Sequence, residues 1–415
     1  MQQIGNDVSI KIQTGVYGQF RNLNNKPWYA LAEFVDNAVQ SYENNKTKFK
    51  SIYGDSYSLE IRIDINKDED VITIKDNAAG IGLDNYYRAF EPAHIPIDNT
   101  GLHEYGMGMK TAAIWLSNIW SVNTKAIDEN EERFVEFNLQ KVIDEKKEVL
   151  EVIKTPNKTK VHYTEISLTK LSHNAPSSHQ LDKIKRHLAS IYRIYIRKGD
   201  LNLYINDELL AFHDPEILEA PYYKDPDGPD VLWKKEISFK SGKYFVKGFI
   251  GILKTMSTNK LNGISLFRRG RVIVGSHDEK YRPKVLCGQI GSPRYKRIFG
   301  ELELEGFSVS FNKGSFIEVE DLEALMEGIK LEISNKVFDL YSQAEKYVKP
   351  KTKEHNVNVA RKLVKELKKA NSNDAKKKKP TLVVPTSHDV AQQVEKLKNV
   401  ETISSYEDKE TLRGV

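Results

Sequence analysis

Residues Pro27–Gln40 read PWYALAEFVDNAVQ, and this stretch decides the fold. Pro27 is suited to opening a helix, and Trp28, Leu31, Ala32, Val35 and Val39 then recur at helical spacing, which predicts one buried stripe. Glu33, Asn37 and Gln40 are spaced by four and three, so they point together away from that stripe. A carboxylate and a carboxamide one turn apart are arranged like a site. Taken alone, they read first as ordinary solvated helix residues.

Downstream, Leu59, Ile61, Ile63 and Ile65 alternate with Glu60, Arg62 and Asp64, the period of a half-buried strand. Residues 66–70 predict a turn, and 71–75 the paired strand. Asp76 then opens the loop DNAAGIG, whose small residues admit a ligand close to the backbone. A second small-residue loop, GLHEYGMG from Gly101 to Gly108, runs into an apolar helix near 109–117. Strands are expected at 119–124, 132–139 and 160–169.

A change of module is expected at 172–178, where the chain turns polar and carries Pro176. Beyond it a helix through Leu181, Ile184, Leu188 and Ile191 is followed by strands at Leu201–Ile205 and 244–253 and a hairpin turning at Arg269-Gly270. The apolar parity between Leu304 and Phe307 predicts a bulge near Gly306. A helix from 320 to 348 closes the module. After Pro350 large apolar residues become sparse, so no packed core is expected there, apart from a short helical stretch at 357–370.

Length and composition bound the rest. With 415 residues, two folded modules and a tail are expected, and 39% hydrophobic with 10% aromatic residues suffices for real cores. The single cysteine, Cys287, excludes an intramolecular disulfide framework, reads as a buried or idle thiol, and fits a reducing compartment. No apolar run has the length of a membrane span, and the expected location is cytoplasmic. Net charge is only +5, but Arg268, Arg269, Arg271, Lys280, Arg282, Lys284, Arg294, Lys296 and Arg297 cluster against Asp278 and Glu279 alone, and the tail carries a run at 376–379.

An ATPase must position a water, hold Mg²⁺ on the phosphates, read adenine and surround the triphosphate with donors. Glu33 suits the water, and Asn37 offers Mg²⁺ a neutral oxygen. There is no GxxxxGK[ST] motif, so the pocket is not of the Walker type. His94 and His103 have no second ligand at metal spacing and read as surface histidines.

On these motifs the chain resembles the GHKL ATPases, the family of gyrase B subunits, MutL, heat-shock chaperones, histidine kinases and MORC proteins. Glu33-Phe-Val-Asp-Asn37-Ala resembles the first motif, which implies Glu33 as general base and Asn37 as Mg²⁺ ligand. The second is Asp76-Asn-Ala-Ala-Gly80-Ile-Gly82, with Asp76 on the adenine amino group and the glycines admitting the nucleotide. The third is Gly106-Met107-Gly108-Met109-Lys110-Thr111 with Gly101 upstream, a lid around the phosphates. The fourth is Thr164-Glu-Ile-Ser-Leu, near adenine. Two positions depart from the pattern: Ala78 and Tyr163 stand where the family has glycine.

The second module resembles the S5-like transducer domain of the gyrase, MutL and MORC branches, most closely MORC. Gly263-Ile-Ser-Leu-Phe-Arg-Arg-Gly270-Arg-Val-Ile carries the likeness, as does Asn312-Lys313-Gly-Ser-Phe316, which implies Lys313 as the residue reaching the γ-phosphate. The expected fold is therefore α+β: an arm at 1–25, a two-layer Bergerat sandwich at 26–172, a transducer at 178–348 and a flexible basic segment at 349–415.

The resemblance implies a slow ATP hydrolase that dimerises on ATP and acts as a MORC-like clamp on duplex DNA. Arg268, Arg269, Arg271, Arg294, Lys296 and Arg297 are the candidate phosphate contacts, and a separate nuclease or remodelling partner would do any cutting. The alternatives are a chaperone-like clamp on protein clients and a nucleotide-sensing scaffold. A histidine kinase fits less well, because that branch lacks the transducer.

Overall fold

The computed structural model describes residues 13–91, 106–258, 260–310, 313–349 and 364. The chain enters through a short helix, α1 (Val16–Gln19). Tyr17 meets the Phe137 ring edge-on at 5.4 Å, and Trp115 Nε1 donates to the Leu23 carbonyl at 3.0 Å. Residues 13–25, expected as part of an arm, thus pack on their own domain; residues 1–12 lie outside the described residues.

Helix α2 (Pro27–Tyr53) opens on Pro27 and ends at Gly54, whose φ of 88° favours glycine. Its first half is buried almost all round, with Leu31, Ala32, Val35 and Val39 inside. Burial of a side chain such as Leu31 or Val35 contributes about 1.5–3 kcal/mol. This helix lies against a sheet of β1 (Leu59–Asn66), β2 (Val71–Asp76), β3 (Ser117–Lys125), β4 (Glu131–Asn138), β5 (Val152–Pro156), β6 (Tyr163–Leu171), β7 (Leu201–Ile205) and β8 (Glu208–Leu209). Between strands come α3 (Leu83–Phe90), α4 (Gly108–Leu116), α5 (Leu139–Asp144), α6 (Leu181–Ile191) and α7 (Arg193–Lys198).

The strand order is β5-β4-β3-β6-β2-β1-β7-β8, with β1 and β7 parallel and the other neighbours antiparallel. Along β1 the leucine and isoleucines face in and the polar partners face out, the signature of a sheet covered on one face. This mixed α and β architecture with a large antiparallel sheet is consistent with a GHKL ATPase fold.

The module boundary is a correction. Strand β7 pairs in parallel with β1, from Leu59↔Leu201 to Ile63↔Ile205, and the Asn206 side chain caps the Ile65 amide at 2.7 Å. Residues 181–210 therefore share the first core, and the second core begins at Leu218. The helix α6 follows a polar loop, but its Ile184 and Leu188 pack inward on the first sheet's core, which composition could not show.

A short ribbon, β9 (Glu219–Ala220) with β10 (Val231–Leu232), precedes a second sheet. That sheet contains β11 (Lys234–Ser241), β12 (Tyr244–Ile252), β13 (Gly263–Arg268), β14 (Arg271–Val274) and β15 (Ile298–Glu305), in the order β11-β12-β15-β13-β14. Arg269 and Gly270 both take positive φ, 52° and 76°, as the two-residue β13–β14 turn requires. The expected bulge at Gly306 is not one: β15 runs in unbroken register to Glu305, and Gly306 at φ 87° ends it. The register shift lies at Leu266/Phe267 instead.

Short helices α8 (Lys284–Cys287) and α9 (Pro293–Arg297) lie before β15, and α10 (Val319–Ile333) after it. The expected single closing helix is interrupted: a hairpin of β16 (Ser334–Asn335) and β17 (Phe338–Asp339) separates α10 from α11 (Leu340–Lys346). Cys287 is buried, which pushes its thiol up to about 12, as an inert thiol should be. No helix among the described residues is long and apolar enough to cross a membrane. The basic tail and the stretch at 357–370 lie outside the described residues, except Val364, which is helical.

Candidate active site

The two sheets' neighbourhoods converge on α2. Buried Glu33 and half-buried Asn37 line a cavity of about 240 Å³ together with Asp76, Gly80, Gly82, Gly106, Met107, Gly108, Met109, Lys110, Thr164 and Lys313. Five separate chain segments supply these residues, so the four motifs and the distant lysine meet in one place. Gly101 lies outside the described residues. Thr111 is not in the lining: its hydroxyl donates back to the Met107 and Gly108 carbonyls, at 3.1 and 3.0 Å, within the first turn of α4.

Local sequence explains the close approaches. At Gly80 φ is 71°, and a β-carbon would stand 2.2 Å from the Lys125 carbonyl oxygen, so only glycine fits. At Gly108 a β-carbon would stand 1.9 Å from Glu33 Oε2, so the start of α4 and the carboxylate share one space. Ala78 has no positive φ and is buried, which is why an alanine is tolerated in this loop. Asp76 and Thr164 are register partners on β2 and β6, and Thr124 Oγ1 stands 3.3 Å from Thr164 Oγ1. Tyr163 fits as a strand residue whose hydroxyl accepts from Asn123 at 3.1 Å.

Burial pushes the Asp76 carboxyl up to about 7, against the pull of the Ala78 and Thr164 backbone N–H groups. Its Oδ1 accepts from Ala78 N at 2.9 Å. Lys110 is buried, which lowers its ammonium to about 8, helped by the Arg88 charge and opposed by Glu91. Its Nζ donates to the Ala89 and Arg88 carbonyls at 3.0 and 3.3 Å, the C-terminal end of α3, where a cation is favoured.

Lys313 is the junction. Its backbone is held at φ 50°, uncommon for lysine, and its Nζ donates to Glu33 Oε2 at 3.0 Å and to Asp36 Oδ2 at 2.7 Å. Asp36 Oδ1 accepts from Arg271 Nε at 2.9 Å and lies 2.6 Å from the Tyr192 hydroxyl. All these groups are buried. Burial opposes Asp36 ionisation, but Arg271 and then Lys313 hold its carboxyl below the usual range. Burial likewise opposes charge on Lys313, and Asp36 and Glu33 hold its ammonium above the ordinary lysine value.

Sequence reasoning did not single out Asp36, Tyr192, Asn85 or Arg88. The helical period does carry a signal for Asp36, which falls four residues after buried Ala32 and beside Val35, a carboxylate on the inward side that needs a cation. Arg88 lines the cavity with its guanidinium on Asn85 Oδ1, at 3.1 and 3.3 Å. Nothing in its local sequence marks it.

The basic stretch is partly a correction. Arg271 is fully buried in the ion network just described, and Arg297 is buried with Nη1 donating to the Tyr347 carbonyl at 2.6 Å, so neither is a surface contact. The Arg294 guanidinium sits 4.0 Å from the Tyr341 ring centroid. Arg268, Arg269 and Lys296 remain half-buried.

A cavity that presents a carboxylate and a carboxamide from one helix, a glycine-lined loop, lysines and an arginine has the equipment of a nucleotide-phosphate site. Residues 25–173 match the family model of histidine kinase-, DNA gyrase B-, and HSP90-like ATPases. The match supports a GHKL-type ATPase domain in this segment, and with it ATP binding. Among curated proteins, none matches the chain.

Proposed function

We propose that the protein binds Mg-ATP in this cavity and hydrolyses it slowly, with Glu33 as general base. The observation that carries the reading is the contact of Lys313, from beyond the second sheet, with Glu33 inside the cavity that Asn37 and the glycine loops also line. Asp76 is the acceptor for the adenine amino group, with Thr164 beside it. Gly101, Gly106, Met107, Gly108, Met109, Lys110 and Thr111 belong to the phosphate-binding segment in the family pattern. Asn37 has no side-chain hydrogen bond among the described residues, so its carbonyl oxygen fits Mg²⁺, which when bound neutralises charge across the phosphates.

In hydrolysis Glu33 takes a proton from the attacking water, the water oxygen bonds to the γ-phosphorus, and the bond to the β–γ bridging oxygen breaks, giving ADP and phosphate. Lys313 lines the same cavity, and its ammonium, once released from Glu33, is the group we assign to the γ-phosphate. Because a conformational change gates this chemistry, turnover is expected below about 10 per second.

The larger cycle rests on the sequence likeness. ATP closes the lid, two protomers dimerise, and the protein acts as a MORC-like clamp on duplex DNA, with an S5-like transducer carrying Lys313 and a partner supplying any nuclease or remodelling step. Arg268, Arg269, Arg294 and Lys296 are the retained phosphate contacts. The single cysteine favours a reducing, cytoplasmic setting.

The test is ATP turnover and dimer mass, for wild type and Glu33→Ala, with and without duplex DNA at two salt concentrations. The reading holds if Glu33→Ala binds ATP but stalls as a dimer and DNA moves the wild-type rate in a salt-dependent way. Turnover indifferent to DNA would shift the clamp to a protein client. Failure to bind ATP would overturn the assignment.

A further inference from the structure

A second cavity, of about 300 Å³, opens between α6, α7 and the β13 side of the second sheet and shares no lining residue with the ATPase cavity. Its lining carries Arg186, Arg193, Lys260 and Lys280, with His213 and His277. The one carboxylate in the lining is Glu301, and it is already engaged: Arg193 Nε donates to Oε1 at 2.7 Å, and Arg197 donates to both oxygens, at 2.7 and 2.8 Å.

The Lys280 ammonium has no such partner. Its Nζ donates to the Ser265 hydroxyl at 2.8 Å, and no carboxylate among the described residues stands within ion-pair distance. The nearby acids are engaged elsewhere: Asp278 pairs with Lys183 at 3.1 Å and has the buried His187 Nε2 at 3.0 Å, and Glu279 meets Lys26 and, at 2.8 Å, the Tyr29 hydroxyl. Taking an ammonium out of water without a counter-charge is costly, and a bound anion would remove that cost. Burial, then the Arg193 charge, hold Lys280 well below the ordinary lysine range, with Glu301 pulling the other way.

Apart from the Ser190 and Ser265 hydroxyls, the remainder of the lining is apolar, with Phe212, Leu261 and Phe299 among it. A ligand therefore needs an anionic head and an apolar body. Several separated cationic donors suit the oxygens of a phosphate better than a single carboxylate. A duplex backbone is a poorer match, because Ser265, the partner of Lys280, is buried, whereas phosphates on a duplex are met by exposed side chains. We propose that this cavity is a binding site for a small organic phosphate monoester, its phosphate seated on Lys280 and Arg186 and its body against Phe212 and Leu261.

The experiment is calorimetric titration of the full chain with phenyl phosphate at low ionic strength. Wild type is expected to bind, and Lys280→Met to bind about tenfold or more weakly, as befits loss of a charged hydrogen bond. Arg186→Glu, at an exposed position on α6, should weaken binding similarly, so that poor folding of the first variant does not decide the matter. Arg88→Ala in the ATPase cavity should leave the affinity unchanged. The proposal is overturned if wild type does not bind, or if Arg88→Ala abolishes binding while Lys280→Met and Arg186→Glu do not. It is also overturned if duplex DNA binds through Arg186 and phenyl phosphate does not.

Discussion

Lys313 Nζ lies 2.7 Å from Asp36 Oδ2, across 277 positions of sequence, and both groups are buried. Asp36 also takes Arg271 Nε at 2.9 Å, so one carboxylate on α2 anchors two cations from the second sheet's side of the molecule. Glu33, one turn earlier on the same helix, shares the lysine. The proposed catalytic base and the packing of the two cores are thereby joined through a single ammonium. An ion network of this kind contributes little compared with an apolar core of the same volume, but removing one member leaves uncompensated buried charge.

Asp36→Asn should therefore lower unfolding free energy by about 3–5 kcal/mol, the cost of breaking a buried pair. Urea titration would show a lower midpoint at unchanged slope. The pH dependence has a definite sign. Asp36 is held below its unfolded value, so its contribution is present above about pH 4 and lost as pH falls through the depressed folded value. Lys313 is held above its unfolded value, so its contribution is present below about pH 10 and lost as pH rises past that. Asp36→Asn should remove the acid-side part; an acid limb identical to wild type would refute the assignment.

Gly108→Ala separates geometry from stability. The added methyl would stand 1.9 Å from Glu33 Oε2, and the carboxylate, as the end of a flexible side chain, moves aside rather than breaking the fold. Melting temperature should stay within a few degrees or rise, since alanine favours the first turn of α4. Turnover should fall about 100-fold, the scale on which roughly 1 Å of misplacement acts. Normal turnover in a folded Gly108→Ala protein would show that Glu33 is not the base in this position.

What the sequence shows best is what local periodicity and short motifs control. The strand at Leu59–Ile65, the start of α2 at Pro27 and the turn at Arg269-Gly270 are all where their residues place them. What it hides is long-range pairing. Nothing within Leu201–Ile205 says that its edge partner is β1, because alternation fixes a face and not a neighbour. The basic stretch misled for the same reason: Arg271 and Arg297 look like neighbouring surface charge, but Arg271 is buried against Asp36 of α2, and Arg297 is drawn under the C-terminal end of α11.

Burial pushes the Asp76 carboxyl up to about 7, so the state able to act as a charged acceptor is lost on mild acidification. Affinity for a non-hydrolysable ATP analogue should weaken as pH drops from 8 to 6, by up to about tenfold per unit once Asp76 is protonated. Asp76→Asn should bind weakly and show a flatter profile. A wild-type profile that is flat across this range would mean that Asp76 does not touch the base, whatever its place in the motif.

Arg268 and Arg269 stand at the end of β13 and in the β13–β14 turn, half-buried, while the turn's shape is held by the Tyr195 hydroxyl donating to the Arg269 carbonyl at 2.9 Å. Because that bond uses the backbone, Arg269→Ala should keep the turn. If the exposed parts of these side chains meet phosphates, replacing both by alanine should weaken duplex binding equally on unrelated sequences. The slope of log affinity against log salt should become shallower by roughly 2, one for each phosphate no longer neutralised. Arg271→Ala gives the contrasting result, a loss of stability from stripping Asp36 of one of its two cations, with DNA affinity of the remaining folded protein unchanged. A slope untouched by the double substitution would remove this hairpin from the DNA-binding surface.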